Sequence, residues 1–569
     1  MRRWMTIFFG AVLFVSCESA TKSRLSDQEA TEDALAGADT DVTIPKCGNG
    51  TIEEGEVCEI GNTADCTTVT AGYKGTATCR EDCSGWDATT CADINECTIN
   101  PTICGAPDYA SCTNTDGSFT CTCTNGYIPT SDKRLCIPRY DFEGPQYSGD
   151  LLLIVNEDAD GNNQAFIGTL PSNLFTTAEQ AQQPIPRSER FFFPRFGRIV
   201  PLPPGVTPTE LTRRTYRAIE PTPDPEIGAT RTFWAYNFNT GDRYQITAQA
   251  IYVGEYCILW AQVPVYVSAS TAAAIGKEFD ETLYPLITQT FYEASDVDGN
   301  GKITMLFLDA GGQAGGYFSP YELGDFEDSN KCDMIYIEQM TTIWGNGRYA
   351  MGIIAHEFTH LVHNNRDDLV EHNPNQQAWM MEGMSTSGEH IYRGFQSDYK
   401  SEYNSNESIA NGMSVTYWEY TSPDVVGNYA LTYLFHQYLR IHSGRGNAFY
   451  RELIEGEYND YRDHDTIIKK YIDPNLDTAK MLTYFRIALI VNEPTGLYGF
   501  KKESGFSGFQ KRYWNPSAGS EVYLRGGGAL QIKITKPFTE PKDRDEGIRY
   551  IGIYTGATAP ITREEYLGG

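Results

Sequence analysis

Ala355-His356-Glu357-Phe358-Thr359-His360, followed by Trp379-Met380-Met381-Glu382-Gly383, is the stretch that decides how this chain is read. The first part is H-E-x-x-H. Tyr349 to Val362 reads as a helix, with Ile354, Phe358 and Leu361 on one stripe. On that helix His356 and His360 sit one turn apart on the same face. Two imidazoles so placed reach one tetrahedral metal. Zinc that does chemistry takes three protein ligands and leaves a fourth position for water. Glu382, twenty-two positions after His360, is the best placed third ligand. Glu357 lies beside the first histidine, where it can take the proton of a zinc-bound water attacking a carbonyl.

Histidine usage points the same way. None precedes His356, and five of the eight fall between His356 and His390. The bland alternative is an amphipathic helix whose histidines only hydrogen-bond in a core. Glu389, seven positions after Glu382 on the same helical face, is the competing third ligand. Glu382 is preferred because the shorter link suits a helix–loop–helix return. His363 and His390 read as surface or supporting residues rather than ligands.

At 569 residues the chain is too long for one domain, and about three to four are expected. Its net charge of −30 argues against a nucleic-acid partner, which needs a basic footprint. After the leader no apolar run is long enough to span a membrane. Arg2 and Arg3 precede the apolar stretch Met5 to Val15, which is the pattern of an export signal over residues 1–16. Leu13-Phe14-Val15-Ser16-Cys17 resembles a bacterial lipoprotein signal cleaved before a lipidated Cys17, with Phe14 standing where leucine is more usual. Plain secretion is the alternative. Both place the mature chain outside the cytoplasm, where disulfides persist. Residues 17–45 are polar and read as a flexible tether.

Twelve of the fifteen cysteines lie between Cys47 and Cys136. Residues 46–92 hold six of them, and Cys47-Gly48-Asn49-Gly50-Thr51-Ile52-Glu53-Glu54-Gly55-Glu56 is similar to a cysteine-rich repeat of surface proteins from myxobacteria and similar bacteria. So short a segment needs disulfides in place of a core. A zinc cluster is the rival reading, disfavoured by the spacings. Residues 93–137 resemble a calcium-binding EGF module, through Asp93-Ile94-Asn95-Glu96-Cys97, Cys112-Thr113-Asn114 and Phe119-Thr120-Cys121-Thr122-Cys123. The resemblance implies the pairs Cys97–Cys112, Cys104–Cys121 and Cys123–Cys136. It also implies calcium held by Asp93, Glu96 and Asn114, hard oxygen ligands of the kind that ion takes. An EGF fold without metal is the alternative. Either version stiffens a stalk or meets a protein partner.

Residues 138–254 read as a β domain, with strands at 151–155, 232–236 and 244–248. Cys257 to Val267 is a long apolar strand, residues 271–293 are helical, and Ile303 to Leu308 and Met334 to Ile337 are further strands. Gly315-Gly316-Tyr317-Phe318 is placed as an edge strand beside the cleft, able to hold an extended peptide. Asp296-Val297-Asp298-Gly299-Asn300-Gly301 follows the start of an EF-hand loop, but the twelfth position is Phe307 and a strand follows. It reads either as a calcium-bearing turn using Asp296, Asp298 and Asn300 or as a solvated connection. Cys257 and Cys332 stand near neighbouring strands, and are taken as a disulfide or as two buried thiols.

From about 255 to 445 the chain resembles the hyicolysin family of secreted zinc metallopeptidases. The matching residues are Phe279-Asp280-Glu281, the Asp296–Gly301 turn, Gly316-Tyr317-Phe318, Asp333 to Ile337, His356 to His360, Trp379 to Ser385 and Tyr429 to Leu439. The resemblance implies zinc on His356, His360 and Glu382, with Glu357 as catalytic acid and base. The fold class is α+β multidomain: a thermolysin-like zinc metallopeptidase domain over 255–512, a mixed sheet with active-site helices, then a small β region over 513–569. Tyr429 is nominated as the oxyanion donor, against a simple packing role for the Tyr429–Tyr433 pair. The function expected is an exported endopeptidase acting on peptides or proteins, tied to a membrane only by its lipid. A non-catalytic adhesin and a calcium-dependent structural protein are the rivals; the intact Glu357 speaks against the first.

Overall fold

The computed structural model describes residues 47–553 apart from 53–55, 108–109, 124–126, 130–133, 139–145, 148–150, 172–196, 201, 219, 313, 344–346, 368–376, 421, 423, 515–520 and 535–537. The expected signal segment, tether and Cys17 lie outside the described residues. Two compact units are present, the smaller comprising residues up to Asn95 with Asp116–Ser118.

The smaller unit is held by Cys47–Cys83, Cys58–Cys79 and Cys66–Cys91. Its buried apolar residues are little more than these sulfurs and Ala77, so the covalent links replace a core. All six sulfurs are consumed in pairs, which rules out the rival zinc cluster. In the larger unit the pairs Cys97–Cys112, Cys104–Cys121 and Cys123–Cys136 are those the EGF resemblance implies.

The rest of the larger unit begins with β1 (Leu151–Asn156), buried along its length. After β2 (Gly197–Ile199), an antiparallel meander runs through β3 (Thr230–Tyr236), β4 (Arg243–Val253) and β5 (Cys257–Gln262). β5 stops two residues before Pro264, which lacks the N–H a ladder needs. Ser268 Oγ then accepts the Thr271 N–H and caps α1 (Ala269–Glu278). A π-helical turn, Phe279–Leu283, joins it to α2 (Tyr284–Thr290). β6 (Ile303–Leu308) lies parallel to β5, and β8 (Met334–Glu338) lies parallel to β6 and antiparallel to β7 (Gly316–Phe318). The seven-stranded mixed sheet has the order β2-β7-β8-β6-β5-β4-β3.

Two expectations fail here. β7 is not an edge. β2 pairs with it in parallel, Gly197 opposite Gly316 and Ile199 opposite Phe318, so its outer side is already occupied. Cys257 and Cys332 are both free and buried. Side-chain alternation explains why they do not pair: Cys257 packs with Ile275 and Phe279 on the helical face, whereas Cys332 packs with Met334 and Tyr336 on the other.

The helical half follows as α3 (Arg348–Asn364), α4 (Ala378–Arg393) and α5 (Ser397–Ser405). Then come β9 (Asn411–Ser414), α6 (Val425–Ser443), α7 (Ala448–Ile454), α8 (Tyr461–Tyr471) and α9 (Thr478–Val491). Every residue of α3 from Ala350 to Asn364 is buried, as in a helix enclosed on all sides. Its Phe358 and Leu361 each contribute about 1.5–3 kcal/mol by leaving water.

β10 (Gly528–Lys533) and β11 (Ile548–Ile553) flank β1 in a second sheet of order β9-β10-β1-β11. α9 covers it through Ile487 and Ile490, and its buried Arg486 donates to the Met413 and Gly527 carbonyls. Strand pairing therefore cuts across the limits expected at 254 and 513. β3 and β4 join the sheet of β5, and β1 joins the C-terminal strands.

Candidate metal centre

α3 presents His356, Glu357 and His360, and α4 presents Glu382 and Glu389. Their crossing is close because Gly388 carries no side chain: a Cβ there would lie 2.1 Å from Thr359 Oγ1. The approach brings three donor atoms together. His356 Nε2 is 3.1 Å from His360 Nε2 and 3.1 Å from Glu382 Oε2, and His360 Nε2 is 3.3 Å from Glu382 Oε2. All three residues are buried. Tetrahedral zinc with bonds of about 2.0–2.1 Å requires ligand atoms roughly 3.3 Å apart. The observed triangle meets that requirement, and its donor set of two imidazoles and a carboxylate is one that zinc takes.

The neighbours orient the donors. His356 Nδ1 lies 2.8 Å from Glu389 Oε1, and the Tyr399 hydroxyl donates to the same oxygen at 2.6 Å. A carboxylate on Nδ1 leaves Nε2 free to face a metal. The competing third ligand is thus the residue that aims the first histidine. Tyr420 donates its hydroxyl to Glu382 Oε1 at 3.2 Å. The sequence reading missed Tyr399 and Tyr420. Neither carries a local signal: Tyr399 is one of thirty-six tyrosines, and Tyr420 lies in an irregular connection.

Both oxygens of Glu357 are buried without a hydrogen-bond partner. β7 passes over this carboxylate, since a Cβ on Gly316 would lie 3.1 Å from Glu357 Cγ. The electrostatics favour cations. Burial alone would lower His356, but Glu382 and Glu389 outweigh it and push the imidazole up to about 10. Burial pushes His360 down to about 4. Burial would raise Glu382, yet the two imidazoles hold it down at about 2. Burial, reinforced by Glu382 and Glu389, keeps Glu357 well above the usual carboxylate range.

The remaining candidates are dispersed. The Tyr429 ring lies 6.2 Å from that of His356 and 4.7 Å from that of Trp418. His363 faces Asp367 at 2.8 Å and His390 faces the Tyr433 hydroxyl at 3.0 Å, so neither joins the donor triangle. Asp93 ends a short strand, Glu96 opens a helical turn and Asn114 lies on a strand. Asp296 and Asp298 come together with Asp333, and Asn300 Nδ2 donates to Asp298 Oδ2 at 2.9 Å.

Comparison with known proteins adds four findings. The profile of a calcium-binding EGF domain matches residues 93–136. Over 419 residues the chain is 31% identical to "Neutral metalloprotease ShpI" of Staphylococcus hyicus, covering 70% of this chain and 93% of that protein. Over 75 residues it is 37% identical to "Protein disulfide isomerase CRELD2" of Cricetulus griseus, 13% of this chain and 20% of that one. Among solved structures, yeast LTA4 hydrolase aligns with 43% of this chain and 42% of its own, at 13% identity and a TM-score of 0.27.

Proposed function

The chain belongs to the hyicolysin family of zinc metallopeptidases, and from that premise we propose an exported endopeptidase of thermolysin-like arrangement in which His356, His360 and Glu382 hold the zinc and Glu357 moves the proton. The observation that carries this reading is the triangle of donor atoms beside a buried carboxylate with no partner. When bound, zinc supplies Lewis acidity toward a carbonyl oxygen and lowers the pKa of water. Glu357 accepts the proton that water loses as its oxygen bonds the carbonyl carbon. It delivers that proton to the amide nitrogen as the C–N bond breaks, so the products are a carboxylic acid, which then ionises to solvent, and an amine. Glu389, with Tyr399, keeps the His356 ring in place, and Tyr420 does the same for Glu382. Tyr429 faces the developing oxyanion in this proposal.

The substrate is a peptide or protein, and the EGF-like module binds calcium through Asp93, Glu96 and Asn114 and offers a surface to a protein partner. Export follows from the leader over 1–16, with Cys17 as the lipid attachment, and the described residues contain no helix long and apolar enough to cross a membrane. The test is a peptidase assay with metal analysis. Glu357→Gln keeps zinc and loses cleavage, while His360→Ala loses both. Cleavage by Glu357→Gln at the wild-type rate would remove Glu357 from the mechanism.

A further inference from the structure

A second group of carboxylates lies away from the zinc ligands, where the connection into β6 meets the start of β8. Asp296, Asp298 and Asp333 each bring a ligand atom within 4.8 Å of the others. Asp298 is 2% exposed and Asp333 1% exposed. Two contacts fix Asp333: the Ser295 hydroxyl donates to Oδ1, and the Val297 N–H donates to Oδ2 at 2.6 Å. Asp296 Oδ1 accepts the Gly301 N–H at 3.0 Å. Asp298 Oδ2 accepts from Asn300 Nδ2 at 2.9 Å, but its Oδ1 is buried and has no partner.

Among the described residues no ion pair reaches any of the three. The nearby Lys302 is spent on Asp224, at 2.9 Å, and on the Gly254 carbonyl, at 2.6 Å. Burying carboxylates side by side without a counter-charge is unfavourable, and a bound cation removes that cost.

We propose that Asp296, Asp298 and Asp333 hold a calcium ion that ties the 295–301 turn to the start of β8. The donors are all oxygen, which selects a hard cation over zinc or copper. Their arrangement explains the incomplete EF-hand pattern. Gly299 and Gly301, at φ +72° and +67°, give the loop its sharp turns. Asn300 Oδ1 accepts the Lys302 N–H, and its Nδ2 donates to Asp298 Oδ2. The acid missing at the twelfth position is supplied from a distant point in the chain by Asp333. Burial, as the largest cause, raises Asp298 to about 6 against the lowering pull of the Arg231 guanidinium, and raises Asp333 to about 7.

The experiment is equilibrium dialysis of the full zinc-loaded chain against radioactive calcium, with zinc counted separately. Glu96→Gln serves as the control for the EGF-like module. Wild type and Glu96→Gln both retain the Asp-site calcium. Asp298→Asn loses one calcium per chain relative to wild type and keeps its zinc. Asp296→Asn, an exposed change that leaves the fold alone, weakens that site by about tenfold or more through loss of a charged ligand. Undiminished calcium binding by Asp296→Asn, or by an Asp298→Asn protein with full zinc content, overturns the proposal. Either result leaves the peptidase reading standing.

Discussion

Replacing Gly388 with alanine tests whether the α3–α4 crossing sets the metal centre. The new Cβ would sit 2.1 Å from Thr359 Oγ1, 3.1 Å from Thr359 Cβ and 3.2 Å from the Ala355 carbonyl. Ordinary contact begins near 3.4 Å, so the closest approach is about 1.3 Å too short. Thr359 has little room to yield, being fully buried with its hydroxyl donated to Ala355 at 2.7 Å. Relief comes from spreading the helices, at about 1–3 kcal/mol for an overpacked site. Spreading also lengthens the 3.1 Å edge between His356 and Glu382. Zinc sites tolerate only about 0.2 Å in each bond. If that free energy falls on the bound state, zinc affinity drops roughly 5- to 150-fold. Transfer of zinc to a chromophoric chelator measures it, with thermal unfolding alongside. Gly388→Ala with Thr359→Ala removes the nearest clashing atom and recovers part of the affinity, giving a coupling of about 1 kcal/mol or more in the double-mutant cycle. Wild-type zinc affinity in Gly388→Ala, or strict additivity in the cycle, refutes the reasoning.

Three other perturbations follow from the same geometry. Glu389→Gln removes the charged partner of His356 Nδ1 and lowers zinc affinity about 10- to 100-fold, read by the same competition assay. Cys257 and Cys332 are free, so unfolding without reductant exposes both to alkylation; peptide mapping that finds them joined contradicts the structure. Burial holds His442 at about 4, below its unfolded value near 6.5, so the unfolded chain binds the extra proton in between. Its contribution is complete above pH about 6.5 and is lost as pH falls toward 4, by about 3 kcal/mol at most. His442→Gln flattens that part of the denaturation curve.

The residues legible in the sequence are those whose partners are close along the chain. His356 and His360 are fixed by helical periodicity, and Glu382 by the short return to the next helix. The EGF cysteines are legible through the resemblance of residues 93–137 to that module. Contacts closed by tertiary packing left no such trace. By sequence Glu389 competes as a ligand, but its place behind His356 depends on the side from which α4 approaches. Tyr420 reaches Glu382 from an irregular connection, and Asp333 reaches the 296–301 turn from the residue before β8. β2 is a three-residue segment, too short to carry a periodic signal that would announce its pairing with β7. Cys257 and Cys332 looked like neighbours because the strands were legible and the faces were not.

X-ray absorption at the zinc edge, on protein purified without added metal, reads the coordination sphere itself. The account predicts one zinc per chain with two imidazole nitrogens and carboxylate oxygen as protein donors, and loss of the signal in His360→Ala. A chain without zinc, or zinc bound through sulfur, would contradict it.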